Sequence, residues 1–473
     1  MRIVILTLML PLLAFAQPDT LWTRNFDSGG DDYASEILNT ADGGFVLASS
    51  AIAASVDFRL TRTDVNGDTM WSRAYGTDQG DWCATMVPVA AGGWLMCGFT
   101  FPPASLYPDA YLVRVNDGGD TLWTRIVGGA QTSEAAHAIL PLADGGFLIA
   151  GDMDVTQQGL ADVYLIRINA GGDTLWTRTY EQPTIEGASG ICALSDGNIL
   201  IAGSYHATQN DPIDFYLMKI TLSSDTLWTR SYGAAGNDLL YKVLPTADGG
   251  AVFTGLTDSF DPGGDLYLGK INSAGDSLWV HLYGGAGEDH GHSVAAMSDG
   301  GFLICGHSTS FDDPSGDAYL VRTDSEGNLQ WSYLYGSPGY DSGEAVRQTA
   351  DGGIILAGNR LGGPTSDVFL VRLDHEQRTM SPPHVPAEFT LHPNYPNPFN
   401  AVTSIAFDLT AALPVMLSIY NLSGQRVATL IDQPLVPGAH TVAFDASRFA
   451  SGIYVYRLKA GDVVRQKKMV LIR

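Results

Sequence analysis

Seven tryptophans stand in one setting along this chain. They are Trp22, Trp71, Trp123, Trp176, Trp228, Trp279 and Trp331, at intervals of 49, 52, 53, 52, 51 and 52 residues. The octapeptide GGDTLWTR is spelled out at Gly118–Arg125 and again at Gly171–Arg178. A period of this length means one supersecondary unit stacked against copies of itself, because a single copy is too small to bury its own apolar face.

Two further phrases lie between successive tryptophans. One is an apolar stretch, a D-G-G turn and a second apolar stretch, as in LPLADGGFLIAG at Leu140–Gly151. Its acid is Asp42, Asp144, Asp196, Asp248, Asp299 or Asp351, with Ala91 standing in once. The other is D-x-[YF]-L-x-[RK], opening at Asp109, Asp162, Asp214, Asp265, Asp317 and Asp367, with a worn copy at Asp57. These phrases are short, rich in β-branched and aromatic residues, and bounded by Gly and Asp. They read as strands joined by hairpin turns. Four strands per period make the pattern of a β-propeller blade. The array opens on a lone L-W-T-R strand at Leu21–Arg24 and stops after DVFLVR at Asp367–Arg372. The first strand then completes the last blade. The expected fold is all-β, a seven-bladed propeller closed by its N-terminal strand, which leaves no open sheet edge.

The basic residue of Y-L-x-R stands nine positions before the next tryptophan, as Arg62 before Trp71 and Arg322 before Trp331. That spacing sets the two directly across adjacent strands, with Arg372 opposite Trp22 at the closure. A cation over the indole and a pair that merely shares a face both fit. The tight D-G-G and G-D turns fall on one side of the disc and the longer connections on the other. A ligand is therefore expected on the loop-bearing side.

That side is acidic twice over. One set opens the Y-L-x-R strands at Asp57, Asp109, Asp162, Asp214, Asp265, Asp317 and Asp367. The other is Asp32, Asp81, Glu134, Glu186, Asp238, Asp289 and Asp341. This second set precedes the innermost strand and is expected to ring the mouth of a central channel, where it could hold calcium. Bracing of each loop by its own Asp fits equally well. One repeat departs from the rest, with His290 and His292 in EDHGHS and His307 after the next strand. A two-residue turn at Asp299-Gly300 makes His292 and His307 cross-strand partners, with His290 two residues along. Three imidazoles so placed suit zinc or another transition metal. Cys83, Cys97, Cys192 and Cys305 are expected to be buried thiols, with Cys83 facing Thr100 rather than Cys97. No G-x-S-x-G, H-E-x-x-H or P-loop occurs, though a glycosidase carboxylate pair stays open.

The ends differ from the repeats. Arg2, the apolar stretch Ile3–Leu13 and Ala14-Phe15-Ala16 before Gln17 read as a cleaved export leader over residues 1–16, too short to span a bilayer. Residues 17–380 carry 46 acids and 17 bases, whereas residues 381–473 carry 5 and 8. An acidic body of that kind excludes nucleic acid and anionic membrane surfaces as natural partners. SPPHVP at Ser381–Pro386 is a stiff linker. Alternating strands with Gly turns follow, expected to form a small immunoglobulin-like β-sandwich.

The motifs of this last stretch are Tyr395-Pro396-Asn397-Pro398-Phe399-Asn400, IYNLSGQRV at Ile419–Val427, Ser451-Gly452-Ile453-Tyr454, and the terminal Lys467-Lys468-Met469. They resemble the C-terminal sorting domain of the type IX (Por) secretion system, and also the immunoglobulin-like module of flagellar hook-capping proteins. The resemblance implies export through the type IX machinery and a secreted or outer-membrane location. The repeats themselves are similar to a broad group of secreted bacterial propellers, a likeness that brings no ligand. The expected layout is a leader at 1–16, a propeller at 17–376, a linker at 377–386 and a sorting sandwich at 387–473. The expected function is binding of an extracellular glycan or protein on the acidic loop face. A polysaccharide hydrolase or lyase using that face, and a surface-layer component, are the alternatives.

Overall fold

The repeated phrases fold as strands. The computed structural model describes residues 18–374 and 390–472, except 53–54, 104–106, 130, 155–160, 181–184, 207–210, 234–235, 260–262, 286, 312–314, 338, 362–364, 393, 395, 410–412, 422–425, 436–437 and 461–462. The leader, the linker and Tyr395 lie outside the described residues. The chain divides into two units, one of Phe15–Thr379 and one that includes Met380–Arg473.

The first unit consists of four-stranded antiparallel sheets in a propeller-like arrangement. Seven are described, spanning 32–75, 81–127, 133–180, 185–232, 238–283, 289–335 and 340–373. The seventh has three strands of its own, and Thr20–Phe26 pairs with Asp367–Leu373 to supply its fourth. Third strands such as Asp109–Val115 are buried on both faces, while fourth strands such as Thr121–Val127 alternate between exposed and half-buried. Their sequences show the same contrast, a near-continuous apolar run against an alternating one. Apolar clusters fill the spaces between successive sheets. A further cluster joins Ile37 and Phe45 of the first sheet to Ile355 and Leu370 of the seventh.

The octapeptide holds both halves of one contact between sheets. Its G-D turn receives the tryptophan of the preceding sheet. A Cβ on Gly119 would stand 2.8 Å from the Trp71 ring, and its φ is +79°, so glycine is favoured there twice over. After four of the tryptophans, the arginine two residues on reaches the Asp of the same turn, as Arg24 reaches Asp68 at 3.2 Å and Arg73 reaches Asp120 at 2.5 Å. Four residues after Trp71, Trp176, Trp228 and Trp279 a tyrosine donates to a turn carbonyl, as Tyr75 does to Gly119 at 2.6 Å. Ser224 takes the glycine position in one sheet, with φ of 66°, where Arg178 donates to its hydroxyl at 2.9 Å.

The base of Y-L-x-R does stand opposite tryptophan in each of the seven sheets. The cation over the indole is a different one. Arg24, Arg73, Arg125 and Arg230, two residues on along the same strand, lie 5.3–5.7 Å from the centroids of Trp22, Trp71, Trp123 and Trp228. The cross-strand base is buried and must find acceptors. It pairs with the D-G-G acid of its own sheet, as Arg322 with Asp299 at 2.6 Å and Lys219 with Asp196 at 2.7 Å. Arg62 pairs with Asp42 and Arg167 with Asp144 in the same way. Where Ala91 replaces the acid, Arg114 Nη2 donates to the Gly92 carbonyl instead.

Every first strand carries a β-bulge three residues after its opening acid. The extra residues are Ser35, Ala84, His137, Ser189, Tyr241, His292 and Glu344. The D-G-G hairpin is also one residue longer than a two-residue turn, since Met297 N–H donates to Gly301. Together these shift the pairing by two residues. His307 therefore faces His290, not His292, and Cys83 faces Gly98, not Thr100. Because the side-chain period is two, the histidines stay on one face. All four cysteines are buried and free. Burial pushes the Cys83 and Cys192 thiols up to about 12.

The second unit is a sandwich of a three-stranded and a four-stranded sheet. The first pairs Thr390–Leu391, Val402–Leu409 and Gly438–Asp445; the second runs in the order Arg426–Leu435, Leu413–Asn421, Gly452–Ala460, Val463–Leu471. Phe399, Phe407, Phe444, Tyr456 and Met469 fill the space between them.

Candidate functional site

The two acidic sets meet at the seams between sheets and do not ring a channel mouth. The strand opened by each second-set acid is tied to the preceding sheet, as Asp289 N–H donates to Gly264 and Asp341 N–H to Gly316, both at 2.9 Å. The carboxylates turn back under their own loops. Asp32 accepts from Ser28 N–H at 2.7 Å, Asp81 from Thr77 N–H at 2.6 Å, Asp289 from Gly285 N–H at 2.8 Å and Asp341 from Ser337 N–H at 2.7 Å. A first-set acid closes in from the other side. A Cβ on Gly76 would meet Asp57 and Asp81, and one on Gly233 would meet Asp214 and Asp238. Burial raises the Asp81, Glu134 and Asp214 carboxyls, and their partners Asp57, Asp109 and Asp238 raise them further. The Glu186 side chain lies outside the described residues. The loops need acceptors for their orphan N–H groups, and that need places these acids.

The bulge residues face a cavity of about 320 Å³, which is lined by the first strand of every sheet. A bulge turns one side chain out of the ladder, and here it does so seven times over. The ring reads Ser35, Ala84, His137, Ser189, Tyr241, His292 and Glu344, seven positions without repetition of chemistry apart from two serines and two histidines. One residue on from Ser35, Glu36 is buried between Lys242 at 3.1 Å and Arg347 at 2.6 Å. Burial works to raise Glu36, but those two cations hold it below the ordinary carboxyl range. Toward the loops, the rings of Tyr33 and Trp82 lie side by side, 5.8 Å between centroids.

The sixth sheet gathers the three histidines expected from the sequence. One ligand atom from each of His290, His292 and His307 lies within 4.8 Å of the other two. Burial and the neighbouring imidazoles push His290 down to about 4 and His307 to about 3, so both are neutral at pH 7. Burial also opposes charge on His292, yet Glu344, 3.2 Å away, lifts it above the ordinary histidine value. His137 is raised in the same way by Asp152. Glu344, Tyr241 and Tyr340 belong to this site and carry no motif. Their one signal is positional, since Tyr241 and Glu344 follow the opening acid by three residues.

In the sandwich, the motif residues mostly brace the core. Phe399 is buried, Asn397 accepts from Val470 N–H at 2.9 Å, and the Pro396 carbonyl accepts from Asn394 and Thr403. Pro396, Pro398 and Asn400 are exposed. Gly452 opens the strand that holds Tyr454, whose hydroxyl donates to Ala450 at 2.9 Å. Lys467 and Lys468 are exposed on Val463–Leu471, an edge strand of the four-stranded sheet. Among the described residues no helix is long and apolar enough to cross a membrane.

Residues 394–472 match the family model described as a secretion system C-terminal sorting domain. The chain ends in a type IX sorting domain. It is thereby a secreted or cell-surface protein with the type IX export machinery among its partners. No curated protein matches the chain. Among solved structures it is similar to PorZ, an essential bacterial surface component of the type IX secretion system of Porphyromonas gingivalis, at 11% identity and a TM-score of 0.45. That match covers 95% of this chain but spans only 60% of PorZ. YCF48 from Cyanidioschyzon merolae matches at 11% identity and a TM-score of 0.44, over 74% of this chain and 98% of that one. The BP39L lectin from Burkholderia pseudomallei matches at 9% identity and a TM-score of 0.46, over 70% and 96%.

Proposed function

We propose that residues 17–376 form a closed seven-bladed propeller, which the sorting domain at 387–473 delivers to the cell surface through the linker at 377–386. The propeller binds an extracellular carbohydrate at the loop-side mouth of its axial cavity. Closure is supported by the apolar cluster between the first and seventh sheets and by Trp22, which sits on Gly67 of the first sheet as Trp71, Trp123, Trp228 and Trp279 sit on the turns that follow them. The binding reading rests on one observation. At the offset where each first strand turns a side chain into the cavity, the repeat consensus breaks. A fold rule would repeat there, whereas a ligand needs different groups on different sides. Tyr33 and Trp82, half-buried above that ring, supply the flat apolar surface against which a sugar face packs.

The test is binding of the purified full chain to a panel of bacterial and host polysaccharides in chelator-containing buffer. Trp82→Ala is expected to weaken binding at least tenfold, and Leu227→Ala, on an exposed fourth strand, to leave it unchanged. Equal binding by wild type and Trp82→Ala, or no binding across the panel, would overturn the reading.

A further inference from the structure

We propose that His290, His292 and His307 form a site for a divalent transition metal of the zinc class. The inference goes beyond carbohydrate binding and does not depend on it. The three rings crowd together, with centroids 4.2 Å apart for His290 and His307, 5.4 Å for His292 and His307, and 5.8 Å for His290 and His292. With metal–nitrogen bonds of about 2.0–2.1 Å, the present ligand-atom spacing closes around one ion if each ring moves by about an ångström or less.

Outer partners already stand at the other ring nitrogens. Tyr241 Oη is 3.5 Å from His290 Nδ1, Glu344 Oε2 is 3.2 Å from His292 Nδ1, and Tyr340 Oη is 3.4 Å from His307 Nδ1. This leaves Nε2 on every ring for a shared ligand. Glu344 is itself fixed, its Oε1 accepting from Ser342 at 2.6 Å and Asn359 at 3.1 Å. A held carboxylate behind a ligating imidazole orients the ring and raises its basicity. The fold has no need of the cluster, because the slot of His307 is filled by Ser50, Phe99, Asp152, Ser204, Leu256 and Asn359 in the other sheets. Three nitrogens with no thiolate select zinc, cobalt, nickel or copper over calcium or magnesium. Three protein ligands leave a fourth position open, and His292 lines the cavity bordered by the first strands.

The full chain, stripped with chelator, is titrated with Co(II) followed by its visible absorption, and with Zn(II) by calorimetry. One ion per chain is expected, with the intense visible bands of low-coordinate cobalt. His292→Ser with His307→Ser, residues that the fourth sheet carries at Ser189 and Ser204, is expected to weaken binding at least 100-fold. Glu344→Gln acts on a positioning residue and is expected to weaken it about 10–100-fold, while His137→Ser leaves it unchanged. Circular dichroism checks folding; should the double variant unfold, Glu344→Gln and His307→Gln carry the same test. No saturable uptake, uptake that survives loss of the histidines, or an equal loss in His137→Ser would overturn the site. Because the polysaccharide panel is run in chelator, failure of either proposal leaves the other standing.

Discussion

The fourth strands and the first strands of the sheets obey opposite rules. Along the fourth strands L-W-T-R returns in four sheets and as M-W-S-R, L-W-V-H and Q-W-S-Y in the others, and its work repeats from sheet to sheet: the indole covers the next turn, and the arginine, where present, extends toward that turn's acid. Along the first strands only the opening acid returns. Three residues later the chain reads Ser, Ala, His, Ser, Tyr, His and Glu in turn. Contacts that hold sheet to sheet must be made once per sheet, so their residues repeat. Side chains turned into the axial cavity meet one another, so theirs need not.

The sharpest way to test that division is to damage a repeated residue. Arg322 is almost fully buried, pairs with Asp299 and donates to the Thr323 carbonyl. Arg322→Ala is expected to cost about 3 kcal/mol in urea unfolding, through the stranded acid and the lost packing. Arg322→Lys should cost less than about 1 kcal/mol, since Lys219 and Lys270 serve two other sheets. If alanine were as mild as lysine, the pairs between these bases and the D-G-G acids would not be what holds each sheet. Gly119→Ala comes next, at about 2 kcal/mol, because a methyl group meets the Trp71 ring at positive φ.

Acid titration separates the D-G-G acids from the seams. Lys219 and Lys270 hold Asp196 and Asp248 down to about 2, below the usual 3.8. Their contribution is present above pH 3.8 and lost as pH falls toward 2. The seam carboxyls Asp81 and Glu134 are raised, so theirs is present below the ordinary carboxyl value and lost as pH rises through the folded one. Asp196→Asn should therefore flatten the acid limb of a stability profile measured by thermal melting, and Asp81→Asn should flatten the decline above it. A profile that Asp81→Asn leaves unchanged would mean the seam acids carry no such penalty. The smallest effect is that of millimolar calcium, expected to move the melting temperature by less than about 1 °C because the seam acids already accept from their own loops. A shift of several degrees would turn those braces into cation sites.

Much of this was legible in the sequence, and one cause explains most of what was not. The period, the four strands and the type IX motifs could be read because each is a local pattern written several times or in a specific order. The cross-strand position of Arg62 and Trp71 followed from spacing alone. The partner of His307, the partner of Cys83 and the residues of the axial ring did not, because a bulge adds one residue without altering the alternation of apolar letters. The cation over Trp22, Trp71, Trp123 and Trp228 was also missed. An arginine two residues along lies on the same face as the tryptophan, and spacing cannot say which of two candidate bases is drawn inward by an acid in a distant turn.

Thermal melting of wild type and of His292→Ser with His307→Ser, each with chelator and with zinc at about 100 times the dissociation constant, bears most directly on the division between holding residues and binding residues. The expected result is that the two melt together in chelator, while zinc raises wild type alone by about 3–4 °C. If the variant melts well below wild type in chelator, or gains as much from zinc, the histidines hold the sheet and the division fails.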